Sequence, residues 1–159
     1  MQIISVINQK GGVGKTTTVI NLAAGLSQLN KKILVIDLDP QGNATTGLGL
    51  SNMDNSSDTI YGVLNGTNEI ATVIKKTQFE NLDIITSNVD LSGLEVETAD
   101  DGNRAFILKS KLAAYLNNSR GSYDYVLIDC PPSLSLLTVM ALVCSNSLLV
   151  PLQTEFFAL

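Results

Sequence analysis

The chain has 159 residues, enough for one domain that buries about 68–70% of the surface exposed by its unfolded form. Apolar residues make up 45% and charged residues 16%, and a net charge of −5 argues against a constitutive polyanion-binding surface. With only two cysteines and no histidine, the sequence excludes a disulfide framework and a zinc ribbon. Met1–Ile4 contains no basic segment, which argues against a signal peptide, so we expect a soluble cytoplasmic protein.

The first two predicted strands and the helix between them form one βαβ unit. Residues 2–8 are a β-branched run, and residues 9–15 are a glycine-rich turn. Residues 16–29 then carry apolar side chains at helical spacing, and the apolar run 33–36 ends in Asp37. Such a unit closes right-handed, with its strands parallel.

The rest of the chain continues this alternation of helices and strands. We predict a loop near the site over 41–57, helices over 59–64, 69–74, 103–116 and 134–143, and strands over 82–86, 125–128 and 147–152. The pattern predicts a single α/β domain over residues 1–159, with a mostly parallel sheet flanked by helices and ligands at the carboxyl ends of the strands. Residues 155–159 are typical of an opening helix, so we expect the sequence to be a fragment.

A phosphate-binding loop is predicted between the first strand and the first helix. Its glycines allow backbone N–H groups to approach a triphosphate closely, and the helix N-terminus adds partial positive charge. Lys15 supplies an ammonium for the β- and γ-phosphates, and Thr16 supplies a hydroxyl for Mg²⁺. The alternative is a glycine-rich turn without a ligand. The candidate ATP-binding residues are Lys10, Gly11, Gly12, Val13, Gly14, Lys15, Thr16 and Thr17.

The loop departs from the ordinary P-loop pattern at its start. Gln9 stands where that pattern has glycine, and Lys10 is an additional lysine. The residues alone give Lys10 no role within its own site and leave it as a solvated charge.

Two aspartates follow the second predicted strand. Asp37 and Asp39 are alternate residues, so both carboxylates can face the same side of the chain beside the phosphates. One could order the Mg²⁺ shell while the other orients the attacking water. We favour Asp39 for the water, because Pro40 and Gly42 begin a loop that could close over the γ-phosphate. The alternative for Asp39 is a turn cap.

A third aspartate, Asp129, ends the apolar strand 125–128. This is the arrangement of a Walker B acid, which faces Mg²⁺ through a bound water, although a capping role is the alternative. Pro131 to Ser133 form a stiff turn suited to a switch segment, and Cys130 is interpreted as a small buried filler. The candidate metal ligands are Thr16, Asp39 and Asp129.

Three motifs together resemble the ParA/Soj partitioning ATPases, a deviant Walker A type of P-loop NTPase. They are residues 8–18, 37–45 and 129–133, and the resemblance extends to residue 157. It implies that Lys10 reaches across a nucleotide-sandwich dimer to the partner's phosphates. It also implies that Lys15 and Asp39 act in hydrolysis, that Thr16 binds Mg²⁺, and that Asp129 is the Walker B acid.

The resemblance also implies a function. Members of this family bind and hydrolyse ATP with Mg²⁺, form ATP-dependent homodimers, coat nonspecific DNA and are discharged by a ParB-like centromere-binding partner. We therefore expect a bacterial protein that is associated with the nucleoid when ATP is bound and does not attach to membranes. Relatives continue beyond this sequence with basic DNA-binding residues and much of the adenine pocket.

Other functions fit the motifs less well. MinD-like membrane ATPases share the Lys10 loop but usually lack the continuation over residues 40–43. Nitrogenase iron proteins and iron–sulfur carriers hold clusters with cysteines, and Cys130 and Cys144 do not stand in such motifs. A non-catalytic, nucleotide-dependent binding module is the remaining alternative.

Overall fold

The computed structural model describes residues 1–51, 55–118 and 123–154. Within these residues, six strands form one sheet in the order β3-β4-β2-β5-β1-β6, and of these strands only β3, at one edge, runs antiparallel to its neighbour. The mostly parallel α/β sheet expected from the sequence is therefore confirmed. The strands are β1 (Gln2–Val6), β2 (Ile33–Asp37), β3 (Ile74–Lys76), β4 (Leu82–Ile85), β5 (Tyr125–Asp129) and β6 (Ser147–Leu149).

Helices cover both faces of this sheet. The α-helices are α1 (Lys15–Gln28), α2 (Asn43–Gly47), α3 (Ile60–Leu64), α4 (Ile70–Val73), α5 (Leu94–Glu97), α6 (Ile107–Asn118) and α7 (Leu136–Cys144). Short 3₁₀ turns precede α3, α5 and α6, over Ser56–Asp58, Val89–Gly93 and Arg104–Phe106.

The pleat of β2 divides the interior into two hydrophobic cores. Leu34 and Ile36 belong to the larger core, which includes buried residues of α3 to α7. Ile33 and Val35 belong to the smaller core, which includes buried residues of α1. Successive side chains of a strand point to opposite faces, so a strand buried on both faces reads as a continuous apolar run. That run ends in Asp37, which places the acid at the carboxyl edge of the sheet.

Several boundaries and elements differ from the sequence predictions. Helix α2 lies within the segment 41–57, which was predicted as a loop, because its polar residues gain tertiary hydrogen bonds that a local pattern does not reveal. Strand β3 and helix α5 were not predicted; each is only three or four residues long. Strand β6 ends at Leu149, earlier than predicted, and the helix predicted over 155–159 lies outside the described residues.

Within the described ranges, none of the helices combines the length and apolar character needed to cross a membrane.

Candidate functional site

The glycine-rich loop joins β1 to α1 at the carboxyl edge of the sheet. Gly12 has φ 75° and Gly14 has φ 91°, a left-handed conformation that side chains with a Cβ rarely adopt. A Cβ built on Gly11, Gly12 or Gly14 meets no atom within 4 Å, so the space beside the loop is open. Gly14 caps α1, and no side chain there bonds the free N–H groups of the first turn. The loop therefore offers backbone donors to an anion.

A cavity of about 400 Å³ lies against this loop. It brings together most of the predicted site residues, whereas Lys10, Val13 and Asp129 are not in its lining. Pro132, in the turn that the sequence analysis interpreted as a switch segment, lines it as well, and so does Asn43, to which the sequence analysis gave no role. The lining residues are Gly11, Gly12, Gly14, Lys15, Thr16, Thr17, Asp39, Asn43 and Pro132.

Lys15 places a buried ammonium at the cavity. The residue is only 7% exposed, and its Nζ donates a hydrogen bond to the carbonyl oxygen of Lys10 at 3.3 Å. Within the described part of the chain it forms no salt bridge. Its charge lowers the pKa of Asp129, but a buried cation outside any salt bridge is still costly, so this position favours an anionic ligand.

Thr16 and Asp129 meet directly beside the cavity. Thr16 Oγ1 donates a hydrogen bond of 2.7 Å to Asp129 Oδ2. Asp129 is fully buried, and its Oδ1 has no hydrogen-bond partner among the described residues. Burial raises the pKa of Asp129 to about 7, an effect opposed by the hydrogen bond from Thr16 and reinforced by the charges of Asp37 and Asp39.

This pair fits a magnesium ion. A hydroxyl and an unpartnered carboxylate oxygen are hard oxygen ligands, and Mg²⁺ usually binds through one or two protein groups together with waters and substrate phosphates. Within residues 1–51, 55–118 and 123–154, no cluster of three or more His, Cys, Asp or Glu side chains forms a separate metal site.

The two aspartates after β2 occupy different environments. Asp39 lines the cavity, whereas the fully buried Asp37 does not. Asp37 Oδ2 accepts hydrogen bonds from Thr45 N at 2.8 Å and Thr45 Oγ1 at 2.7 Å, and Oδ1 accepts one from Asp39 N at 3.1 Å. Burial raises the pKa of Asp37 to about 6 despite these hydrogen bonds. Of the two acids, only Asp39 lines the cavity.

Asp39 also makes the turn contact weighed in the sequence analysis. Its Oδ1 accepts a hydrogen bond from Gln41 N at 3.0 Å, and its carbonyl oxygen accepts one from Gly42 N at 2.9 Å. The turn-capping contact and the position at the cavity are therefore compatible, because the cap uses one carboxylate oxygen.

Lys10 is attached to the loop through its backbone. Lys10 N donates to Asn8 Oδ1 at 2.9 Å, while Asn8 Nδ2 donates to the carbonyl oxygen of Pro151 at the same distance. Gln153 Nε2 reaches the carbonyl oxygen of Gly12 at 3.2 Å. The segment after β6 thus contacts the residue before the glycine loop and the middle of the loop, an arrangement that the sequence did not reveal because these contacts join residues more than 140 positions apart.

The segment after β5 is also partly buried. Cys130 is buried, as predicted, and burial raises the pKa of its thiol to about 12. Pro132 lines the cavity, and the carbonyl oxygen of Ser133 accepts a hydrogen bond of 2.6 Å from Thr138 Oγ1.

A larger cavity, of about 760 Å³, lies at the opposite edge of the sheet, where the parallel strands begin. Its buried acid, Asp83, is already bonded to Lys76 Nζ at 2.8 Å and Tyr123 Oη at 2.7 Å. Size therefore does not identify the candidate phosphate site, since the smaller cavity is the one that has the glycine-loop backbone donors and the buried lysine.

The chain is similar over its whole length to proteins of known family. The AAA domain family matches residues 1–159. The chain is 46% identical over 158 residues to the sporulation initiation inhibitor protein Soj of Bacillus subtilis (strain 168), covering 99% of this chain and 60% of Soj. It is 46% identical over 159 residues to the chromosome partitioning protein ParA of Caulobacter vibrioides (strain NA1000 / CB15N), covering 100% of this chain and 58% of that protein.

A solved structure is similar in fold as well. Cobyrinic acid a,c-diamide synthase from Mycobacterium smegmatis, crystallised with an ATP analogue and magnesium, superposes with a TM-score of 0.91 and 38% identity, covering 100% of this chain and 63% of the synthase. The chain thus spans about 60% of the length of the relatives that it matches.

Proposed function

Since the chain belongs to the AAA domain family and is 46% identical to Soj and to ParA, we propose that it is a ParA/Soj-type protein that binds ATP with Mg²⁺ and hydrolyses it as a dimeric switch in chromosome or plasmid partitioning. The observation that carries this proposal is the meeting of Lys15, Thr16 and Asp39 at one cavity over the glycine loop, with Asp129 bonded to Thr16.

Each residue has a proposed task. The backbone donors of the loop and the ammonium of Lys15 bind the phosphates. Thr16 and Asp129 would hold Mg²⁺, which neutralises phosphate charge when bound. Asp39 orients the attacking water with the carboxylate oxygen that does not cap the turn. The alternative role for Asp39 is as a ligand in the Mg²⁺ shell.

Lys10 is proposed to act between two copies of the chain. Its side chain does not line the cavity of its own loop, and its backbone is fixed by Asn8. A lysine so placed at the loop entrance is available to the phosphates of a partner in an ATP-dependent homodimer.

Activities of the whole protein are part of the same proposal. We propose a single P-loop domain over residues 1–159 that works in the bacterial cytoplasm, associates with nucleoid DNA in its ATP-bound state and is stimulated by a ParB-like partner. The DNA surface and much of the adenine pocket are assigned to the part of the relatives that this sequence does not match.

Binding of a fluorescent ATP analogue and release of phosphate, each with and without Mg²⁺, test the enzyme itself. We expect binding and slow turnover that both depend on Mg²⁺. A chain that binds no nucleotide in either condition contradicts the proposal, and Mg²⁺-dependent binding without turnover favours the non-catalytic module.

Co-sedimentation with DNA and with liposomes tests the proposed cargo. We expect ATP-dependent DNA binding that is lost at high salt, because contacts to phosphates release counterions. Lipid binding without DNA binding would instead favour a MinD-like function at a membrane surface.

A further inference from the structure

The two oxygens of Asp37 hold both ends of one short loop. Oδ1 accepts from the backbone N–H of Asp39, where the loop begins, and Oδ2 accepts from the backbone N–H of Thr45, in the first turn of α2. Asp39 and Asn43 lie within this loop and line the cavity. One buried carboxylate therefore fixes the spacing between the ends of the segment that presents both residues.

The hydroxyl of Thr45 adds two hydrogen bonds to this arrangement, and we call the hydrogen-bonded set of Asp37, Thr45 and Ser87 the clamp. Thr45 Oγ1 donates to Asp37 Oδ2 at 2.7 Å and accepts from Ser87 N, beyond the end of β4, at 3.0 Å. Asp37, Thr45 and Ser87 are all fully buried. Hydrogen bonds to an ionised group are stronger than neutral ones, and low local dielectric strengthens them further. The hydroxyl thus ties α2 to two neighbouring strands of the sheet.

We propose that Asp37 and Thr45 are positioning residues that hold Asp39 in place for ATP hydrolysis, an inference that rests on the proposed function. Neither residue lines the cavity, so we expect neither to contact the nucleotide. The groups that bind phosphate belong to the β1–α1 loop, which the clamp does not contact through these hydrogen bonds. Loosening the clamp should therefore change turnover and leave nucleotide affinity almost unchanged, because a shift of about 1 Å in a reacting group can cost 10²-fold in rate.

The test compares Thr45→Val, which removes the hydroxyl at almost constant volume, with Thr45→Ser, which keeps it. We expect Thr45→Val to lower kcat for ATP about tenfold or more, while the Kd of a non-hydrolysable ATP analogue changes less than about twofold. Thr45→Ser should restore most of the lost kcat. Thr46→Val makes the same chemical change at the next, exposed residue, whose hydroxyl bonds only carbonyl oxygens of its own turn, and it should keep the parental rate.

Asp37→Asn is the second variant, for use if Thr45→Val does not fold. An amide offers one acceptor oxygen where the carboxylate offers two, so one end of the loop loses its partner and kcat should again fall while analogue binding persists. Thermal unfolding of each variant verifies that the assays are made on folded protein.

The outcomes separate the two proposals. A parental chain that binds the analogue but never hydrolyses ATP overturns the proposed function. A parental chain that hydrolyses ATP, with a folded Thr45→Val variant that is equally fast, overturns the positioning role alone. If Thr45→Val loses analogue binding as well as kcat, and Thr45→Ser restores neither, the positioning role is also overturned, because these losses would indicate a general structural role for Thr45.

Discussion

Thr16 Oγ1 lies 2.7 Å from Asp129 Oδ2, so the first turn of α1 and the end of β5 meet through two side chains. The other oxygen of Asp129 is buried without a partner in the described chain. This contact determines what a substitution at either residue should do.

Thr16→Val should weaken Mg²⁺ binding and destabilise the fold. It removes the proposed hydroxyl ligand and leaves a buried carboxylate without its donor, which costs about 1–3 kcal/mol. We expect the Mg²⁺ concentration needed for half-maximal ATP-analogue binding to rise at least about tenfold, with a lower Tm in the absence of nucleotide. Thr72→Val, at an exposed threonine bonded only to the carbonyl oxygen of Glu69, is the control. An unchanged Mg²⁺ titration would contradict the assignment.

Lys15→Ala and Lys10→Ala should have different effects. Lys15 lines the cavity and forms no salt bridge among the described residues, so its loss should abolish detectable binding of a fluorescent ATP analogue. Lys10 does not line the cavity, so Lys10→Ala should keep binding by a monomer and lose turnover together with ATP-dependent dimerisation, measured by light scattering. Equal loss of affinity in the two variants would indicate that Lys10 binds the nucleotide of its own chain.

Asp39→Ala should separate binding from hydrolysis. Removing one preorganised group that acts at the transition state costs about 3–4 kcal/mol, or roughly 10²–10³ in kcat. Analogue binding should persist, and the variant should remain a dimer with unhydrolysed ATP bound, which size-exclusion chromatography detects. A parental rate of phosphate release would show that the turn cap is the only role of Asp39. Asp100→Ala, at an exposed acid, is the charge-matched control.

Two glycines should respond to alanine with opposite signs. A Cβ on Gly62, in α3, would lie 2.0 Å from the backbone oxygen of Ser57, so Gly62→Ala should destabilise the fold by about 1–3 kcal/mol or more. A Cβ on Gly25, within α1, meets nothing within 4 Å, so Gly25→Ala should stabilise by about 0.5–1 kcal/mol. Urea denaturation measures both, and a Gly62→Ala variant as stable as the parent would contradict the close approach.

The two cysteines should resist alkylation in the folded protein. Both are buried, and burial raises the pKa of Cys130 to about 12 and that of Cys144 to about 11, so almost no thiolate is present at pH 8. We expect iodoacetamide to modify neither residue within the time that it modifies both in urea, as followed by mass spectrometry. Rapid native modification of Cys130 would mean that the segment after β5 opens readily.

The sequence predicted the features that depend on local pattern. The apolar runs ending in Asp37 and Asp129 became neighbouring strands, and the glycine segment ending in Lys15 became the loop before α1. Glycines, β-branched runs and helical spacing each reflect constraints within a few residues, so a single sequence carries them.

The features that were missed depend on contacts between distant residues. Helix α2 was predicted as a loop because Asn, Thr and Gly favour loops, and it is held instead by Asp37 and Ser87. The sequence did not reveal that Asp37 and Asp39 have different environments. Alternation places both side chains on one side of the chain, and it carries no sign that Thr45 hydrogen-bonds to Asp37. The attachment of Gly12 to Gln153 has no local signal at all.

Asp37 and Asp129 are register partners on β2 and β5, the two innermost strands, and both are fully buried. Two carboxylates side by side in a dry interior repel one another and each loses hydration, which raises both pKa values and makes this row of the sheet unfavourable when both are ionised. A cation bound beside Asp129 would offset that repulsion, so Mg²⁺ with nucleotide should raise the free energy of unfolding at the centre of the sheet.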